Sequence, residues 1–264
     1  GLAKNIILNT MYHRTWANTH NNLIYCVVLS NAMHNNKAQG EKPQHISRFW
    51  IIGAGRFGQI AISRITRRFP KAVLTLVDSR PENDTVASAA SITTVCADGI
   101  SWLAQHLVKD APVDMVIPAI PIHVVFEWLS IHLIKRGFRL KKIPIHDDWL
   151  AKLPHAMAGE CGKAFVSHAD FLCPDNCPEP KDRCTHTGKP RPVDMFRLLA
   201  ELELDDILPI VLRSHQLLPG VGGIYPADLW QALDVANNNR HRPLMIATAC
   251  RCHGVVDVVR LQGR

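Results

Sequence analysis

Arg48-Phe49-Trp50-Ile51-Ile52-Gly53-Ala54-Gly55-Arg56-Phe57-Gly58 is the stretch on which the reading of this chain turns. A short apolar run ends in glycines, as a strand buried on both faces does. Phe57, Ile60, Ala61, Ile65 and Phe69 then recur at helical spacing up to Pro70, and a second apolar run, Ala72 to Val77, ends at Asp78. The glycines fit G-x-G-x-x-G where the pattern has a mechanism, directly after a strand and opening a helix. Gly53 permits the tight turn, Gly55 lets a pyrophosphate approach the backbone, and Gly58 lets the helix pack closely on the strand. Free N–H groups and the helix dipole attract the phosphates. Asp78 stands where a carboxylate accepts from ribose hydroxyls, which favours NAD over NADP because a 2'-phosphate would meet like charge; Arg56 and Arg80 pull the other way.

Working outward, the alternation continues. Ile92 to Cys96 reads as a strand, Ile100 to Val108 as a helix, Val113 to Ile120 as a strand, Val124 to Lys135 as a helix and Lys142 to Ile145 as a short strand. Strands alternating with helices of about a dozen residues imply a parallel sheet covered on both faces. The expected fold class is α/β, with a Rossmann-like doubly wound parallel sheet over residues 46–146. Residues 147–264 form a cysteine-rich α/β region, an extension of that sheet or a small second domain. It is expected to hold a helix at Val193 to Glu203, an apolar run at Ile207 to Leu212, a helix near Ala227 to Ala236 and a strand at Leu244 to Ala249. Residues 1–45 have no acidic residue before Glu41 and no sustained period. They read as a disordered extension, or as translated sequence upstream of a start at Met33, and are left out of the fold.

The series Ile51-Ile52-Gly-Ala-Gly-Arg-Phe-Gly-Gln-Ile, then Leu76-Val77-Asp78, then Ala97-Asp98-Gly99 resembles the nucleotide-binding domain of potassium-uptake regulators, the TrkA-N or RCK N-terminal type, over about residues 48–140. The resemblance implies NAD(H) or adenine-nucleotide binding, a cytoplasmic location, assembly into homo-oligomers and a membrane-transporter partner. It also implies that Asp78 and, after the third strand, Asp98 belong to the nucleotide site. The family's small C-terminal ligand-binding domain is not recognisable in residues 147–264.

That remainder carries a different chemistry. Cys173-Pro-Asp-Asn-Cys177-Pro-Glu-Pro-Lys-Asp-Arg-Cys184 puts three thiols in one proline-stiffened loop, and Cys250-Arg-Cys252-His253 follows the last expected strand. Three clustered thiolates plus Cys250 or Cys252 satisfy a four-coordinate zinc or an iron–sulfur cluster. Redox-active or disulfide thiols and ordinary buried cysteines are the alternatives, because C-x3-C-x6-C matches neither zinc knuckles nor ferredoxin runs. Cys96 reads as a core-strand residue and Cys161 as a loop residue or alternative ligand. His168, Asp170 and His215 are acid–base or metal-supporting candidates whose bland role is hydrogen bonding. Pro219-Gly220-Val221-Gly222-Gly223 is an ordinary turn or a second anion-binding loop.

Composition sets the outer bounds. The chain has 264 residues, 47% of them apolar and 20% charged, enough for a real core and too ordinary for a disordered or coiled-coil chain. No apolar stretch is long enough to cross a bilayer. The net charge of +7 is spread along the chain, so nucleic acid is not an expected partner. Among Tyr12, Tyr25 and Tyr225 none has a lysine four residues on, which excludes the Tyr-x3-Lys dehydrogenases. P-loop, zincin and G-x-S-x-G patterns are missing as well. Three readings remain: an NAD(H)-binding protein of regulatory or redox-sensor type with a cysteine-held metal, an NAD(P)-dependent oxidoreductase carrying an iron–sulfur cluster, and a zinc-stapled interaction module with a vestigial nucleotide pocket.

Overall fold

A computed structural model describes residues 27–29, 47–80, 92–204 and 206–263. The reading of residues 1–45 falls mostly outside them, with one correction: β1 (Val27–Leu29) adds a parallel strand beside β9 (Leu208–Arg213).

The glycine stretch lies in a four-stranded, wholly parallel sheet of order β4-β3-β2-β5, built from β2 (Arg48–Ile52), β3 (Val73–Asp78), β4 (Ile92–Cys96) and β5 (Met115–Pro118). Because side chains alternate along a strand, Phe49 and Ile51 face one way and Trp50 and Ile52 the other, and both sets are buried. On the first face lies α1 (Arg56–Arg68), whose Ala61, Ile62 and Ile65 meet Phe49, Leu74 and Leu76. On the second lie α2 (Gly99–His106), α3 (Val124–Lys135) and α6 (Pro226–Asn238). Trp128, Leu129 and Leu133 of α3 pack against Leu229 and Leu233 of α6 in this layer. Helix α3 is apolar almost all round, as a helix held between two sheets must be.

The second sheet is mixed, in the order β1-β9-β12-β13-β8-β7, with β6 also on β13. Here β6 is Arg139–Lys142, β7 Met157–Ala158, β8 Lys163–Ser167, β12 Leu244–Ala249 and β13 His253–Gln262. Leu208, Ile210, Leu244, Ile246 and Val259 face the shared helical layer. Val211, Met245, Ala247 and Val258 face α5 (Met195–Ala200), where Phe196 and Leu199 close the far side. The layers run α1, parallel sheet, α2–α3–α6, mixed sheet, α5.

Two expectations change. The strand expected at Lys142 to Ile145 as the last of the parallel sheet is β6, and it joins the mixed sheet, antiparallel to β13. Cys96 is exposed rather than in the core, because β4 is an edge strand with half-open faces. The other edge, β5, is covered: Ile224, just after the hairpin of β10 (His215–Leu218) and β11 (Val221–Gly223), bridges Val116 in both directions. Among the described residues no helix is long and apolar enough to cross a membrane.

Candidate functional site

The glycine loop has the geometry its sequence requires. Gly53 sits at φ +107°, and a β-carbon at Gly58 would overlap the Gly53 carbonyl oxygen, so strand and helix approach as only glycines permit. Gly55 is different: a β-carbon there would meet nothing nearer than Arg80 Nη2 at 4.0 Å. Gly55 is also the N-cap of α1, and no side chain caps that end, leaving first-turn N–H groups open above the loop. Asp78, almost fully buried, turns into the same space. Its Oδ2 accepts from Ala54 N at 2.7 Å and its Oδ1 from Arg80 N at 2.9 Å and Arg80 Nε at 3.3 Å. Burial works against the ionised carboxyl, but these bonds together outweigh it and hold Asp78 below the usual carboxylate range. Phe57 is exposed beside the loop. Asp98 caps α2, accepting from Ser101 N at 2.8 Å, and those serine bonds lower its pKa.

The cysteine loop folds back onto this helix. Asp175 pairs with Arg56, the residue inside the glycine motif, and its carbonyl accepts from Arg64 Nη1 at 2.7 Å. Arg64 also donates to the Pro219 carbonyl. From the other side, the Cys177 carbonyl accepts from Gln216 Nε2 at 2.8 Å and Gly220 N at 3.1 Å. Gly220 has φ +65°, and a β-carbon there would overlap the Asp175 carbonyl oxygen. The Pro219–Gly223 segment is therefore a turn packed against the cysteine loop.

The two cysteine groups come together, and the seven described cysteines are free thiols. Cys173 Sγ lies 3.4 Å from His253 Nε2, and Cys250 Sγ lies 3.7 Å from His253 Nδ1. Arg191, pinned by the Pro180 and Lys181 carbonyls, donates to Cys252 Sγ at 3.0 Å. Burial, then the neighbouring Cys177, Cys252 and Cys184, raises the Cys173 thiol; burial and then Glu179 push Cys250 up to about 12. Cys184 moves the other way because Thr187 hydrogen-bonds it. Among the described residues no group of three or more His, Cys, Asp or Glu side chains is arranged to hold a metal ion. His168 donates from Nε2 to Val193 O at 2.8 Å, outside this group, and His215 lies against Tyr225 and 3.9 Å from Asp228. Cys161 is exposed.

Between the two sheets opens a cleft of about 340 Å³. Its walls are Pro118 at the end of β5, Ile122 and His123 at the start of α3, Gly222 and Ile224 of the hairpin, and Thr248, Cys250 and His253 around the β12–β13 turn. The glycine loop abuts the same connection from behind: a β-carbon on Gly53 would meet Ile120 Cγ2 and Ala119 O. Inside, His123 donates from Nδ1 to the Asp257 carboxylate Oδ2 at 2.7 Å and meets Thr248 Oγ1 through Nε2 at 2.9 Å. The other Asp257 oxygen holds Lys142, whose ammonium lies 4.0 Å from the centre of the Phe126 ring. The sequence reading missed this constellation, since its members come from α3, β12, β13 and β6. Asp257, a carboxylate inside the apolar run Val255 to Val259, was the available clue.

Fold and site define a two-sheet α/β protein whose glycine loop, cysteine loop and central cleft are contiguous. The chain belongs to the AF_1314_C family, described as the C-terminal domain of an uncharacterized protein, whose model matches residues 124–262, from α3 through β13. It is also similar to an uncharacterized protein of Archaeoglobus fulgidus, 26% identical over 224 residues, covering 80% of this chain and 98% of that one. No solved structure matches.

Proposed function

We propose that this protein binds NAD(H) on the Gly53–Gly58 loop and senses redox state through the thiols of the cysteine group beside it. The observation that carries the reading is the pairing, in one place, of an uncapped helix N-terminus above Gly55 with the Asp78 carboxylate. The first accepts a pyrophosphate and the second a ribose. The strand order β4-β3-β2-β5 supports it, being the order of a Rossmann-type mononucleotide half, and so does the resemblance to the TrkA-N type. In this reading Arg56 and Arg80 flank the phosphates, Phe57 covers the nucleotide, and Asp98 serves as a helix cap.

A soft metal would complete the second site by drawing its separate donors together. The S···N separation of Cys173 and His253, 3.4 Å, is close to the roughly 3.5 Å between a sulfur and a nitrogen bound tetrahedrally to one zinc. A mixed sulfur and nitrogen donor set fits zinc more closely than an all-thiolate cubane. Cys173, Cys177, Cys184 and Cys250 or Cys252 are the thiols that would hold the metal, with the His253 nitrogen beside Cys173 taking the place of one of them. When bound it would take the thiols as thiolates and tie the cysteine loop to the β12–β13 turn.

A second reading, an NAD-dependent oxidoreductase, is favoured by one feature: the cleft at the end of β5 contains a fully bonded His123 facing Thr248.

Isothermal titration of the full chain with NADH, NAD+, NADPH and ADP tests the nucleotide site. Micromolar binding of NADH, weaker binding of NADPH, and a loss of at least tenfold in Gly55→Ala are expected. Gly55→Ala is informative because the space beside Gly55 is open, so the variant folds while its methyl takes the place of a phosphate oxygen. A folded protein that binds none of these nucleotides, or Gly55→Ala binding as tightly as the native chain, overturns the reading.

A further inference from the structure

The central cleft holds a constellation that binding alone does not require. His123 is buried, yet both ring nitrogens are engaged, with Asp257 at Nδ1 and the Thr248 hydroxyl at Nε2. A buried carboxylate at Nδ1 fixes the proton there, which leaves Nε2 as the acceptor and makes Thr248 the donor. The lone pairs of Thr248 Oγ1 are then free for a ligand, and both Thr248 and His123 line the cleft. A nucleophile or proton acceptor, a base and an orienting carboxylate at 2.9 Å and 2.7 Å are the spacing of groups built to move a proton. The glycine loop backs directly onto residues 119–120, and Pro118 and Ile122 on either side of them line the cleft. The cleft therefore lies across the β5–α3 connection from the glycine loop.

We propose that Thr248, His123 and Asp257 form a proton relay opening into the cleft, and that the substrate taken there carries a secondary hydroxyl oxidised to a carbonyl by NAD+ held on the glycine loop. The proposal rests on the oxidoreductase reading above and adds its proton acceptor and substrate class. A hydride leaves the carbinol carbon for the nicotinamide ring as the C–O single bond becomes a double bond. The hydroxyl proton passes to Thr248 Oγ1 while the threonine's own proton moves to His123 Nε2. The imidazolium, partnered by Asp257, then returns that proton through the Thr248 hydroxyl to water in the cleft once the carbonyl product has left, so that alcohol and NAD+ yield carbonyl, NADH and a proton. Thr248 is the residue that touches substrate; His123 and Asp257 act through it. Burial, with Lys163 and Lys142 nearby, outweighs the opposing pull of Asp257 and keeps His123 below the ordinary histidine range, so the imidazole starts neutral and able to accept.

The test uses the full chain with NAD+ and a set of 2-hydroxy acids, 3-hydroxy acids, polyols and secondary alcohols, following NADH formation. At least one class is expected to be oxidised. Thr248→Val should lower kcat by about a hundredfold or more while the Kd for NAD+ stays unchanged, and Thr248→Ser should restore it to within about tenfold. His123→Gln, which still accepts from Thr248 but cannot take its proton, should lower kcat with KM unmoved. NAD+ binding without turnover of any class, or turnover that Thr248→Val leaves intact, overturns the relay alone. Failure to bind NAD+ overturns the nucleotide reading and the relay with it.

Discussion

The glycine loop and the inner cleft meet at the β5–α3 connection, and they treat polar groups in opposite ways. Around Gly55 the backbone donors of α1 have no side-chain cap, and the space in front of them is open. In the cleft, both nitrogens of His123 and both oxygens of Asp257 have protein partners. An unsatisfied surface is completed by what binds it, whereas a buried network that is already satisfied is organised before anything arrives. In the proposed reading the first is a binding site and the second a site prepared for chemistry.

The comparison predicts that the two sites fail differently when mutated. Asp257→Ala removes the carboxylate that both His123 and Lys142 use in a fully buried position, so it should cost about 3–5 kcal/mol of folding stability. Urea denaturation followed by tryptophan fluorescence measures this. A loss under about 1 kcal/mol would mean that the network is wet and loosely held, and the contrast with the glycine loop would disappear.

Gly58→Ala should come next. The added methyl overlaps the Gly53 carbonyl oxygen, which is backbone and cannot swing aside, so α1 must shift away from β2. A loss of about 3 kcal/mol is expected, with NADH binding lost in the fraction that stays folded. Set beside Gly55→Ala, which leaves stability almost untouched, it separates the packing glycine from the ligand glycine by the same denaturation curve.

What could be read in advance follows from how these groups are spaced along the chain. Gly53, Gly55, Gly58 and Asp78 lie in one strand–turn–helix–strand unit, where local chemistry forces the pattern. The helices at Val124 to Lys135 and near Ala227, and the strand Leu244 to Ala249, were legible because each is a sustained apolar segment of the length its element needs. β13 was not, because Gly254 and Asp257 break its valine run, and Asp257 is tolerated there through a histidine 134 positions away and a lysine 115 positions away. The placement of β6 was equally hidden: its sequence alternates half-buried and exposed positions, and which sheet it joins is decided by β13. For the cysteines, clustering was visible in sequence, but the part of His253, between Cys173 and Cys250, was seen only as proximity to them.

The smallest effect belongs to the strap between the two sites. Arg56 sits in the glycine motif and pairs with Asp175 in the cysteine loop, but its side chain is 74% exposed, so the pair is screened by water and contributes under about 1 kcal/mol to stability. Arg56→Ala should therefore scarcely move the denaturation midpoint. Its consequence should lie elsewhere. Arg64 still holds the Asp175 and Pro219 carbonyls, so the cysteine loop keeps its place, while the carboxylate of Asp175 loses its counter-charge next to the phosphate site. NADH affinity should fall by a few-fold, and Arg56→Ala combined with Asp175→Asn should recover part of the loss, because the repelling carboxylate is then gone. If the two substitutions instead add, Arg56 acts on the phosphates alone, and the contact between glycine loop and cysteine loop is one of packing rather than of charge.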